Sequence, residues 1–219
     1  MARHFHELLA DLKNRLVQMS ALAETMIADA VRILVNRDDG GAAGIRQMEI
    51  AVNRMQVEID ETCFTLIALH QPAATDLRFI LGAIKTNSDL ERLADEAINV
   101  LNKAERLLRE PPLTTLDIVP RMAAIAREMM RDSLDAFISL DTAKARAVLL
   151  RDDEVDRLKV EVTKKLLAFI AADPSTVTRA MALILAARNI ERIADHATNI
   201  AENAIFVGEG RDVRHQLDK

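Results

Sequence analysis

Apolar residues return every three or four positions along most of this chain. Leu9, Leu12, Leu16, Met19, Ala23, Met26, Ala30 and Ile33 alternate steps of three and four. That spacing lines one face of an α-helix, and Asp38-Asp39-Gly40-Gly41 then ends it. A second helix is predicted from Ala42 to His70, with Ile45, Met48, Val52, Met55, Ile59, Cys63 and Leu66 on one face and Pro72 as its breaker. A third runs from Asp76 to Arg109 through Leu77, Ile80, Leu81, Ile84, Leu93, Ile98 and Leu101, and Pro111-Pro112 closes it. The pattern then repeats. A fourth helix is expected over Thr115 to Leu140, a fifth over Thr142 to Ala171 and a sixth over Thr176 to Phe206. Asp173-Pro174-Ser175 reads as a turn with Ser175 capping, and Gly208 and Gly210 as the final stop.

At about 1.5 Å per residue, helices of this length reach about 45 Å, which suits antiparallel bundles. The break at Glu110 to Thr115 divides the chain into residues 1–112 and residues 113–219, the latter with a short polar tail from Arg211. The expected fold is all-α, two pseudo-symmetric three-helix bundles built from six long antiparallel helices.

An internal repeat supports the division. Asp89-Leu90-Glu91-Arg92-Leu93-Ala94-Asp95-Glu96-Ala97-Ile98-Asn99 returns, 100 residues later, as Asn189-Ile190-Glu191-Arg192-Ile193-Ala194-Asp195-His196-Ala197-Thr198-Asn199. Each copy lies in the third helix of its half. Upstream, Glu49-x-x-x-Asn53 holds the place that Asp152-x-x-x-Asp156 holds in the second half, early in the middle helix.

Composition narrows the function. Half of the 219 residues are apolar, Trp and Tyr are absent, and Leu, Ile, Met and Ala must fill the core. Met19, Met26, Met48 and Met55 fall on core stripes and read as packing. A net charge of −5 without a basic stripe argues against nucleic acid as the direct partner. The N-terminal residues lack the apolar core of a secretory leader. The apolar run Ala180 to Ala187 is too short for a bilayer, so no membrane insertion is expected. The single cysteine, Cys63, fits a reducing compartment and reads as a small core residue.

The candidate chemistry is acidic. Glu91 with Asp95, Glu191 with Asp195, and Asp152 with Asp156 are each four apart and share a helix face. Such like-charged pairs cost a helix about 0.2–0.5 kcal/mol each. Two sources of positive charge can offset that. Arg92 can reach Asp95 and Arg188 can reach Glu191, giving a salt-bridged face. Alternatively, the middle helix brings Glu49 and Asn53, or Asp152 and Asp156, opposite the pair on the third helix, and oxygen ligands converge on a metal ion. Oxygen donors favour iron, manganese, magnesium or calcium over zinc. No histidine follows a glutamate by three residues, so the di-iron oxidase pattern is missing, and His196 reads as a surface or structural residue rather than a ligand or phospho-acceptor. There is no Gly-rich phosphate loop, nucleophile elbow or His-Glu-x-x-His, so no catalytic residues are assigned and no enzyme is expected. A carboxylate-bridged metal enzyme and a metal-free structural bundle are the alternatives.

Glu58-Ile59-Asp60-Glu61-x-Cys63, Gln71-Pro72-x-Ala74-x-Asp76-Leu77-Arg78, Asp89-Leu90-Glu91-Arg92-x-x-Asp95 and Ile190-Glu191-Arg192-Ile193-Ala194-Asp195-His196-x-x-Asn199-Ile200 together resemble the bacterial PhoU family of phosphate-transport accessory proteins. The resemblance spans the first helix to about Phe206. It implies a cytoplasmic negative regulator of the phosphate-starvation response, an adaptor between the ATPase subunit of a phosphate ABC transporter and a phosphate-sensing histidine kinase. It also implies a homodimer, and metal clusters held by Glu49, Asn53, Glu91 and Asp95 and by Asp152, Asp156, Glu191 and Asp195. Asn53 departs from the family's carboxylate, so the first site is expected to bind more weakly or through water.

Overall fold

A computed structural model describes residues 2–113 and 117–213. The helices are α1 (Ala2–Asn36), α2 (Ala42–His70), α3 (Ala74–Leu108), α4 (Ile118–Ser139), α5 (Thr142–Leu149), α6 (Asp152–Ala172) and α7 (Val177–Glu209), with a 3-10 turn at Pro174–Thr176. No strand occurs among the described residues. The all-α architecture and the two repeats are as expected. α1 and α2 pack on α3, α4, α5 and α6 pack on α7, and α3 lies along α7 at the centre, with α1 meeting α4. The predicted stripe on α1 is the core face, with Leu12, Leu16, Met19, Ala23, Met26, Ala30 and Ile33 fully buried. No helix among the described residues is long and apolar enough to cross a membrane.

Three local expectations are corrected. The fifth helix is two, broken at Leu150 and Arg151. Asp141 caps α5 by accepting from the Lys144 amide, and Asp152, Asp153 and Glu154 begin α6 with acidic charge where the helix dipole favours it. Arg151, at the break, reaches back to Glu128 and Asp132 on α4. The sixth predicted helix continues past Gly208. Only Gly210, in the left-handed region at φ 69°, ends it. Gly208 is needed for space instead, since a Cβ there would lie 2.6 Å from the Thr142 methyl at the start of α5. At the turn before α7 the cap is Asp173, whose carboxylate accepts from the Ser175 amide, and not Ser175. The predicted start of the fourth helix, Thr115, lies outside the described residues, and α4 begins at Ile118.

The two repeats join along a tight seam. Gly82 on α3 lets α7 and α4 come close, because a Cβ there would stand 2.8 Å from Val207 and 2.9 Å from Phe137. The Phe79 and Phe137 rings stack across the seam at 5.0 Å. Glu24 on α1 accepts from Arg127 and Arg131 on α4. Burial is the largest influence on the Glu24 carboxyl and opposes ionisation, yet the two arginines outweigh it and hold its pKa below the ordinary value.

Candidate functional site

The repeated motif puts one set of polar residues towards the other repeat and another towards its own middle helix. The first set ties α3 to α7. Asp89 Oδ1 lies 3.0 Å from His196 Nδ1 and accepts from Asn199 Nδ2 at 3.1 Å. Two turns along α3, the buried Glu96 pairs with Arg192 at 3.0 Å and accepts from Asn189 and Asn99. Asp89 and Asn189 are repeat equivalents, as are Glu96 and His196. An antiparallel crossing therefore brings the early position of each copy against the late position of the other. Of the surface and structural readings of His196, the structural one holds: only 16% of its side chain is exposed, and it serves the seam.

The second set faces the middle helices. In the second repeat, Asp152, Asp156, Glu191 and Asp195 form one charge cluster between α6 and α7. Burial, then the charges of Asp195, Asp156 and Glu191, push the Asp152 carboxyl up to about 6. Burial, then Glu191 and Asp156, raise Asp195 as well. Inside the cluster stands a residue the sequence reading left out. Lys159 Nζ donates to Asp156 Oδ1 and to Glu191 Oε1, both at 2.8 Å. Its spacing was the available signal, three residues after Asp156 on the same helix. The arginines invoked above are not the main partners here: Lys159 takes Glu191.

In the first repeat, burial and the neighbouring Asp95 raise the pKa of Glu91. Arg92 approaches Glu91, at 3.9 Å, rather than Asp95. Two crosslinks set the register of α2 on α3. Asn87 Nδ2 donates to the Gln56 carbonyl and to Asp60 Oδ1, and Arg46 reaches Asn102 and Glu105. In sequence they bracket Glu49, half-buried, and Asn53, exposed, on α2, and Glu91 and Asp95 on α3. Among the described residues, neither Glu49 nor Asn53 makes a hydrogen bond or ion pair with Glu91 or Asp95.

No three His, Cys, Asp or Glu side chains among the described residues stand in metal-holding geometry. The donors are the oxygens a hard cation takes, and burial first, then the charge of neighbouring carboxylates, makes Glu91, Asp152 and Asp195 resist ionisation. Cys63 is no rival centre: it is buried, and burial with Asp60 pushes its thiol up to about 12.

Comparison with known proteins places these features. A domain family described as PhoU domain matches residues 16–104 and again residues 119–204. A phosphate-specific transport system accessory protein PhoU homolog of Aquifex aeolicus is 39% identical over 95% of this chain and 94% of its own length. One of Pseudomonas aeruginosa is 36% identical over 98% of this chain and 89% of its own. The crystal structure of PhoU from Pseudomonas aeruginosa superposes with a TM-score of 0.89 at 36% identity, over 94% of this chain and 100% of that one.

Proposed function

This chain belongs to the PhoU family, and we propose that it acts in the cytoplasm as a non-enzymatic negative regulator of the phosphate-starvation response. It would link the ATPase subunit of a phosphate ABC transporter to a sensor histidine kinase, holding the kinase inactive and restraining uptake when phosphate is ample. The observation that carries the reading is likeness along nearly the whole chain to relatives named as accessory proteins of phosphate-specific transport.

An adaptor binds through surfaces, and the middle helices offer them. Ile50, Val57 and Phe64 recur every seven residues on the outward face of α2, each more than half exposed. The repeat-equivalent positions on α6 keep Val160 and Leu167 exposed. Apolar stripes of this kind suit helix-face recognition or a homodimer. Metal ions, in this reading, are held by Glu49, Asn53, Glu91 and Asp95 between α2 and α3, and by Asp152, Asp156, Glu191 and Asp195 between α6 and α7. They would brace each bundle or dock an acidic partner.

The test is capture of the transporter ATPase subunit and the sensor kinase by the purified chain at micromolar concentration with manganese present. Binding to at least one, weakened by Phe64→Ser or Val57→Ser, supports the adaptor. Binding to neither contradicts it.

A further inference from the structure

We propose that the chain docks across the axis of a two-fold-symmetric homodimer, each repeat receiving the same apolar element from one partner protomer. This rests on the adaptor reading above and deepens it by fixing the symmetry of the partner.

The polar contacts of the seam disclose a pseudo-two-fold axis. Asp89 on α3 meets His196 on α7. Exchanging each residue for its repeat equivalent turns that pair into Asn189 and Glu96, and these two are hydrogen-bonded. A contact and its exchanged image are both present, as in a two-fold interface. The axis therefore passes between α3 and α7 close to Leu93 and Ile193, midway between the two contacts. It leaves the molecule between α1 and α4. There Met19, Ala23 and Met26 match Met122, Ala126 and Met129, so Glu24 and its partner Arg127 are equivalents as well.

The same exchange relates exposed apolar side chains. Val57, Phe64 and Leu81 in the first repeat correspond to Val160, Leu167 and Met181 in the second. All six are between 41% and 64% exposed. A solitary exposed apolar residue needs no explanation. Three kept at equivalent places in both copies do, because neighbouring positions diverge: Ile50 corresponds to Asp153 and Glu61 to Lys164.

Both patches look out from one side. Val57 and Phe64 share a row of three- and four-residue steps with Asp60, which bonds Asn87 of α3, so they stand on the α3 side of α2. The antiparallel register of that bond sets Phe64 level with position 83, beside Leu81. Lys85, one turn from Leu81, lies over the Phe206 ring of α7 at 5.4 Å, so this face of α3 borders α7. The patches thus flank the axis on the side built by α2, α3, α7 and α6. At 1.5 Å per residue, Leu81 and Met181 lie about 35 Å apart along the antiparallel pair.

One patch of three half-exposed side chains falls short of the roughly 800 Å² per partner that a standard interface buries. Two patches engaged at once by linked protomers gain effective concentration, and a two-fold partner presents equivalent elements to both. A second copy of this chain also has that geometry, but charge opposes it. Residues 89–99 and 189–199, which flank the axis, carry six carboxylates against two arginines. Stacking a copy on this axis sets like charge on like. The partner is accordingly one with apolar side chains on each protomer and basic residues near its own axis.

The experiment mixes the full-length chain with the transporter ATPase subunit and, separately, with the cytoplasmic portion of the sensor kinase, each purified as a dimer. Sedimentation velocity reads stoichiometry and affinity, and circular dichroism checks the helix content of each variant. At least one partner should bind as one chain per dimer. Phe64→Asp and Leu167→Asp should each weaken that complex by about 100-fold or more, the loss expected when two-point engagement becomes one-point. The double variant should remove measurable binding. Leu69→Asp, at a 71% exposed residue whose repeat equivalent is Ala172, should leave affinity unchanged. One chain per partner protomer, an effect of one repeat's variant without the other, or an equal loss in Leu69→Asp would overturn the proposal and leave the adaptor reading standing. So would self-association of the wild type that Phe64→Asp or Leu167→Asp abolishes while partner binding persists. Binding to neither partner would overturn both.

Discussion

Replacing Arg192 with Ala removes the positive charge paired with Glu96 at the seam between the repeats. Glu96 is 5% exposed, while Arg192 is 47% exposed, so the pair is buried at one end and wet at the other. Stranding one partner of a wholly buried pair costs about 3–5 kcal/mol. Here Asn189 and Asn99 still donate to the carboxylate, and solvent already screens the guanidinium. The expected loss is therefore smaller, about 2 kcal/mol, or about 4–8 °C in Tm for a chain of this size. With neither Trp nor Tyr present, far-UV circular dichroism during urea unfolding is the suitable assay. Glu96→Gln should cost less, because it removes the buried charge and keeps an amide that can still pair. In the double variant, the arginine loss should shrink by about 1 kcal/mol or more, the coupling expected of direct partners. An Arg192→Ala stability within about 0.5 kcal/mol of wild type, or strict additivity in the cycle, would refute the assignment of Arg192 as the support for Glu96.

Three further outcomes are expected. Asp152 is raised in the fold from its ordinary 3.8 to about 6, so the unfolded chain ionises first and the metal-free protein loses stability as pH climbs between those values. That penalty has a ceiling of about 3 kcal/mol, reduced by solvent and by the favourable helix start to about 1–2 kcal/mol. Metal-free Asp152→Asn should accordingly be more stable than wild type at pH 7.5 by that amount, with the advantage fading below about pH 4. Thermal melts across this range check it, and a pH-independent difference would contradict it. Gly208→Ala should cost about 1–3 kcal/mol by driving a Cβ against the Thr142 methyl. Thr142→Ser, which removes that methyl, should restore most of the loss in the same melts. Gly82→Ala should destabilise similarly despite alanine's better helix propensity, because both Val207 and Phe137 stand in the way.

Much of the architecture was legible in the chain because its cause is local. The three-and-four spacing from Leu12 to Ile33 is a burial pattern, and every one of those positions is buried. The repeat centred on Glu91 and Glu191 announced the two halves, since each copy must solve the same packing problem. The break at Leu150 was hidden because apolar residues run through it, although the Asp152-Asp153-Glu154 start signalled a new helix. Gly208 looked like a stop because glycine's commonest role near a helix end is to end it. Its real cause, the Thr142 methyl, lies across a tertiary contact. The same holds at the site. That Asp89 and Glu96 sit two turns apart on one face could be seen, but their partners His196, Asn189 and Arg192 depend on how α3 crosses α7. Lys159 was visible at i+3 from Asp156, but a search for cation ligands passes over a cation supplied by the chain itself.

The role as a restraint on the starvation response meets its most direct test in the living cell. Deleting the gene and measuring transcripts in phosphate-rich medium reads the restraint itself. A negative regulator predicts that starvation genes are expressed constitutively in the deletion strain and are silenced again when the wild-type chain is restored. Starvation genes that stay silent in phosphate-rich medium without the chain would contradict it.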